Sequence, residues 1–204
     1  MEGGLRRPGV CPVNRRLARQ RAIWKGMKRP DPVLIQGLYE ATGSLCLAAG
    51  FFKPKILMDP RLLGEHRVLK EFCLWHESAH LALGHVRLLS IAKWLGIGFV
   101  AALLGVTAAI STRSPVAAYT ALAVGAWVEA RLGLFTLWLR AKCEQEADQV
   151  AASVMNGHHY ATAIKTIWSV EEPRSAYARW ERGVIYGATW VDRLNRSGLS
   201  AVDA

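Results

Sequence analysis

Eighteen consecutive residues, 94–111, carry no charge. A run of that length and composition either fills the middle of a soluble core or crosses a bilayer, at the short end of what a span needs. Thr112-Arg113-Ser114-Pro115 makes a polar break. A second apolar segment follows at residues 116–139, interrupted by Glu129 and Arg131. Two such segments joined by so short a turn predict an antiparallel helical hairpin. A charge at mid-bilayer costs roughly 2.5–3.5 kcal/mol, a cost that snorkelling lowers near a segment end, where Glu129 and Arg131 lie. A hairpin buried in a soluble core is the alternative.

Charge is distributed in keeping with a membrane hairpin. The 204 residues have a formal net charge of +10 and 51% hydrophobic content. Residues 1–30 hold nine Arg and Lys against one acid, so most of the excess sits in this basic N-terminal tail. A basic tail on an apolar body is expected to be flexible, with contact to anionic lipid as the sharper alternative, and nucleic acid is disfavoured because aromatic interleaving beyond Trp24 is lacking. The hairpin turn holds only Arg113, whereas Arg87, Lys93, Arg140 and Lys142 lie at its open end. Positive charge favours the cytoplasmic side, so a multi-pass membrane protein with that end facing the cytoplasm is expected. The basic start is followed by no apolar stretch of a secretory signal, and three prolines with no serine disfavour a mitochondrial transit peptide. Cys11, Cys46, Cys73 and Cys143 form no paired spacing, which suggests a reducing compartment without disulfides.

Just before the hairpin stands His76-Glu77-Ser78-Ala79-His80. On a helix, positions four apart share a face, so His76 and His80 can aim two imidazoles at one zinc ion (Zn2+). Glu77 lies one step round, within reach of a water at an open coordination position whose pKa the ion lowers. A catalytic zinc needs a third protein ligand. His85 follows five residues later on what periodicity predicts to be the same helix, from where it cannot reach the same ion. Glu144 and Asp148, spaced i, i+4 just after the hairpin, suit the task better. Glu144 can bind the metal and Asp148 can accept the ring N–H of a ligand histidine. Glu146 points the other way and is expected to be solvated or paired. A hairpin would bring the two helices side by side.

The rest of the chain predicts a helix over residues 32–50, a strand over 55–59, and a turn opening at Asp59-Pro60. The helix bearing His76 is expected from about residues 65–68 past His85, after an interruption at Gly64. Further helices are predicted over 142–155, closed by Asn156-Gly157, over 160–170, and over 174–196 with Tyr177, Trp180, Val184, Val191 and Leu194 on one face.

In this order the motifs resemble the membrane-integrated zinc metallopeptidases of the HtpX heat-shock and CAAX prenyl protease type, with a mitochondrial protease as a relative. The likeness runs from about residue 35 to 167. It rests on the strand-then-helix entry at residues 53–58, on His76–His80 with Gly84-His85, on the apolar hairpin, and on Glu144-Gln145-Glu146-Ala147-Asp148. The resemblance implies a mainly α fold, gluzincin-like, with a short edge β-strand and a transmembrane hairpin (94–139) inserted between the histidine helix and the third-ligand helix. It implies His76, His80 and Glu144 as zinc ligands, Glu77 as general base and Asp148 behind a ligand histidine. It makes residues 55–59 the edge on which a polypeptide substrate adds. The family's C-terminal His-Pro…Arg segment is matched only by Arg193, a candidate to pair with Asp148 or steady an oxyanion, as are His158 and His159 for the latter. The domain organisation expected is a tail at 1–30 and one metallopeptidase domain at 31–204. The function expected is a zinc-dependent endopeptidase acting on membrane or misfolded proteins at the cytoplasmic face. The competing readings are a non-catalytic zinc-stabilised membrane module and a soluble metallopeptidase cleaving a repressor.

Overall fold

The computed structural model describes residues 31–63, 67–111, 113–173 and 175–199. The basic tail, Cys11 and the Gly64 interruption lie outside the described residues.

Residues 31–58 do not form the helix expected over 32–50. They give strand β1 (Val33–Leu34), a short helix α1 (Leu38–Thr42) and strand β2 (Cys46–Ala49), followed by β3 (Lys55–Met58). The apolar spacing is compatible with a helix, but Gly37 (φ 75°) and Gly43 (φ 76°) adopt left-handed backbone that stops α1 at both ends. Asp59 then accepts the Tyr39 N–H at 3.1 Å, fixing the start of that turn. The sheet order is β1-β3-β2, with β1 parallel to β3 and β2 antiparallel to it, Leu47 opposite Leu57. The strand expected at the edge is therefore the central one. Its inward residues Ile56 and Met58 are fully buried. A 3₁₀ turn, Pro60–Leu63, starts where Asp59-Pro60 was expected to start one, with the Arg61 N–H on Asp59 Oδ1 at 3.0 Å.

Helix α2 (Arg67–Ala82) carries the His-Glu-x-x-His stretch and buries Leu69, Phe72, Cys73, His76, Ala79 and His80, spaced three and four apart. It does not continue past His85. Gly84 turns at φ 73° and a new helix, α3 (His85–Ser111), begins. After the turn, Ser114 accepts the Ala117 N–H and Pro115 takes the first helical position of α4 (Pro115–Val154). α4 is one unbroken helix of 40 residues, about 60 Å long. The separate helix expected from 142 does not exist, because no Gly or Pro stands between Gly133 and Asn156 to break it.

α3 and α4 pack as the antiparallel hairpin. Both are long and apolar enough to cross a membrane, and almost none of their apolar stretches is buried by the rest of the chain. Trp94, Leu95, Leu104, Val116, Val124 and Trp127 are all exposed. At Gly125 the helices approach so closely that a Cβ would strike Leu103, and Gly96 leaves room for the Glu129 carboxylate.

The C-terminal part folds back on α2. Helix α5 (Gly157–Val170) is capped by Asn156, α6 (Ala176–Tyr186) by Ser175, and α7 (Trp190–Ser197) by a Thr189–Asp192 capping box. The single helix expected over 174–196 is split by Gly187, at φ 104° and ψ 176°. Arg182 donates to the last carbonyls of α5, Trp168 O at 2.8 Å and Glu171 O at 2.7 Å, and its guanidinium stacks on Trp168. Arg196 does the same for α6, at Ile185 O, 2.8 Å. Each arginine satisfies orphan carbonyls and neutralises the negative helix end. The core joins Ile56, Met58, Leu69, Phe72, Ile164 and Leu194. Cys46, Cys73 and Cys143 are buried free thiols.

Two glycines of this region are expected to respond oppositely to alanine. Gly187 has a backbone conformation open almost only to glycine, and an added Cβ would collide with Asp192. Gly187→Ala is expected to destabilise by about 2 kcal/mol. Gly183, inside α6 with open space around it, is expected to gain about 0.4–1 kcal/mol as alanine. Thermal unfolding of the two variants beside wild type checks both signs.

Candidate metal centre and active site

Three acceptor atoms from two helices converge beside the sheet. His76 and His80 project from α2 and Glu144 from α4. His76 Nε2 lies 3.1 Å from His80 Nε2 and 3.1 Å from Glu144 Oε2, and His80 Nε2 lies 3.6 Å from the same oxygen. Four-coordinate zinc with arms of 2.0–2.1 Å has donor–donor edges of about 3.3 Å, close to all three separations. The donor chemistry agrees. Two imidazole nitrogens and a carboxylate oxygen this close need a proton or a cation among them. The residues present therefore fit a divalent metal, and both histidines are about 5% exposed.

In each histidine the second ring nitrogen must also be satisfied. His76 Nδ1 lies 2.9 Å from Asp148 Oδ1. Asp148, one turn along α4 from Glu144, also receives two hydrogen bonds from Arg193 of α7, Nε to Oδ2 at 2.7 Å and Nη2 to Oδ1 at 2.9 Å. Burial raises the Asp148 pKa, but Arg193 and then His76 outweigh it, so the carboxyl titrates below its ordinary range. Burial likewise opposes ionisation of Glu144, yet His80 and His76 hold it well below the usual range.

Glu77 lies against the sheet. Its Oε2 accepts the Ala48 N–H at 2.6 Å. Burial pushes its pKa up against the pull of His76 and His80. A cavity of about 290 Å³ opens in front of this group, lined among others by His76, Glu77, His80, Glu144, Tyr186 and Arg193. A second cavity, of about 450 Å³, shares Ser44, Arg140, Glu171, Tyr186 and Arg193 with it and extends it past α6.

Sequence reasoning missed Tyr186. Its hydroxyl donates to Glu144 Oε2 at 2.8 Å, and the Arg193 guanidinium lies 4.1 Å over its ring. Burial and then Glu144 push the phenol well above its usual pKa, so it remains a donor. Its place just before the Gly187 turn, seven residues before Arg193, is the only signal the sequence offers. His158 and His159 are exposed on the first turn of α5 and do not line either cavity. His85 is not on the helix of His80; its Nδ1 lies 3.1 Å from His80 Nδ1 and its Nε2 3.4 Å from Glu146 Oε2. Glu146 is thus paired.

The Arg193–Asp148 pair is 5% and 3% exposed. Removing one member of a buried pair strands the other charge, so Arg193→Met is expected to destabilise by about 3–5 kcal/mol, with Arg193→Lys recovering only part. Denaturant unfolding of Arg193→Met, Asp148→Asn and the double variant should show the double costing less than the two singles together.

Comparison with known proteins gives a family model, described as Peptidase family M48, that matches residues 47–196. Neither the curated proteins nor the solved structures yield a match.

Proposed function

The chain belongs to peptidase family M48, a metallopeptidase family, and from that premise we propose that it is a zinc-dependent endopeptidase of gluzincin arrangement built on His76, His80 and Glu144. The observation that carries this reading is the convergence of those three donors beside Glu77 at the mouth of a cavity. Zinc bound there supplies a Lewis acid for the scissile carbonyl and lowers the pKa of water toward neutrality.

Glu77 is the general base: it takes a proton from the water that attacks the carbonyl carbon, then delivers it to the amine nitrogen as the C–N bond breaks. Tyr186 fixes the Glu144 oxygen that faces the histidines. Asp148, held by Arg193, orients His76 and fixes its tautomer. The edge that receives an extended polypeptide is β2, not β3, since β3 is paired on both sides. The Ala48 N–H points out of the sheet toward Glu77. A peptide pairing with β2 takes that N–H as its partner and frees Glu77 for the water.

The hairpin of α3 and α4 spans the bilayer. Its apolar side chains have no protein cover, and an aqueous surface of that extent would aggregate. Arg87, Lys93, Arg140 and Lys142 stand at the end nearest the site, which puts it on the cytoplasmic face. The polypeptide substrates within reach are membrane proteins or misfolded chains near that surface, and the basic tail adds contact with anionic lipid. Residues 31–204 act as one peptidase domain into which the hairpin is inserted.

Glu77→Gln is expected to retain zinc and lose proteolysis of casein by about 10²–10⁴-fold; a fully active Gln variant would sink the mechanism. Glu144→Ala is expected to lower zinc stoichiometry, and unchanged metal content would point to another third ligand. In fractionated cells the protein should pellet with membranes until detergent is added. Recovery in the detergent-free supernatant contradicts the spanning hairpin.

A further inference from the structure

His85 is the one buried residue of α3, 4% exposed at the foot of a helix whose other residues face outward or are only half covered. A buried imidazole there needs a reason, and its neighbours supply one. On an unbroken α2, His85 would point about 140° away from His80. The left-handed turn at Gly84 ends α2 and brings His85 back beside His80, with the Nδ1 atoms 3.1 Å apart.

We infer that His85 is a positioning residue for the metal centre, accepting the Nδ1–H of His80 and resting its own Nε2–H on Glu146. The inference rests on the reading of His80 as a metal ligand through Nε2. The proton assignment then follows. A neutral imidazole has one N–H and one lone pair, so ligation at Nε2 puts the His80 proton on Nδ1. His85 Nδ1 faces that proton and must be the lone pair. Its remaining hydrogen is on Nε2, which lies 3.4 Å from Glu146 Oε2. The chain Glu146–His85–His80 thus serves the second histidine as Arg193–Asp148 serves the first. Such outer partners orient the ring and raise its basicity.

The test is zinc affinity of the full chain in detergent, measured by competition with a chromophoric chelator. His85→Leu is expected to bind zinc about 10–100-fold more weakly than wild type. His85→Asn, whose amide oxygen can take the place of Nδ1 as acceptor, is expected to stay within about threefold. The visible spectrum of the cobalt-loaded protein should shift for Leu and not for Asn, which separates a hydrogen bond from packing. Wild-type affinity in the Leu variant, or equal losses in Leu and Asn, overturns the inference. Should His85→Leu fail to fold, Glu146→Leu is expected to weaken zinc by about 3–10-fold, and unchanged binding overturns it equally. A wild-type chain that takes up no zinc removes the metal-centre reading itself, an outcome distinct from a zinc-binding wild type with an indifferent His85.

Discussion

Asp148 is a carboxylate 3% exposed at the junction of three helices. Arg193 of α7 closes on it with two hydrogen bonds, and His76 of α2 presents a ring nitrogen to the same group. α2 meets α4 through the hairpin and through Ala79, Ala147 and Val150, but α7 has no local reason to lie beside it. The cost of burying this charge is what makes their placement specific, since any arrangement that withdraws Arg193 strands the carboxylate. The local devices serve that end. Gly187 provides the turn, the Thr189–Asp192 box starts α7, and Arg196 ties its end to α6, so that a guanidinium 45 residues away arrives at the right depth.

The same helix that carries Asp148 carries the second apolar segment. Because α4 is continuous from Pro115 to Val154, the group nearest the histidines and the group nearest the far end of the hairpin belong to one rod. No hinge glycine or proline interrupts it between Gly133 and Asn156. Movement of the hairpin relative to the sheet must therefore move Glu144 and Asp148, or bend an intact helix. On the other side, α2 and α3 are separated by Gly84, and that break is the joint at which α3 can differ in direction from α2.

What the sequence made legible follows from the range of the forces involved. The convergence of His76, His80, Glu144 and Asp148 was readable because i, i+4 spacing fixes a helix face and a hairpin fixes which faces meet. The three-stranded sheet was not readable, since residues 32–50 satisfy a helical period and only Gly37 and Gly43, with tertiary pairing to β3, decide against it. His85 was misplaced for the same reason: periodicity carries through Gly84, whereas the backbone turns there. Tyr186 lies on a short helix whose orientation depends on the Gly187 turn and on Arg193, neither of which is a local signal. Where a glycine adopted positive φ, as at Gly37, Gly43, Gly84 and Gly187, the extrapolation failed.

The charge balance of the buried site argues for a divalent ion over a monovalent one or none. Glu77 and Glu144 line the pocket with His76 and His80, Glu171 and Arg140 line it further out, and Asp148 lies behind His76 with Arg193 as its paired cation. Burial opposes a charge on His76, but Asp148 and Glu144 more than offset that and raise its pKa well above the ordinary value. A dication among the three donors would offset Glu77 and Glu144, as Arg193 offsets Asp148. On the proposed zinc reading, Glu77 would be free to accept a proton and each histidine would keep one N–H for its outer partner. The two histidines then differ in what stands behind them. His76 rests on a carboxylate locked by a buried guanidinium, and His80 on an imidazole whose Glu146 is 36% exposed. The first support is rigid and dry. The second lies at the Gly84 joint, so the ring it orients is the one that a change in the angle between α2 and α3 reaches first.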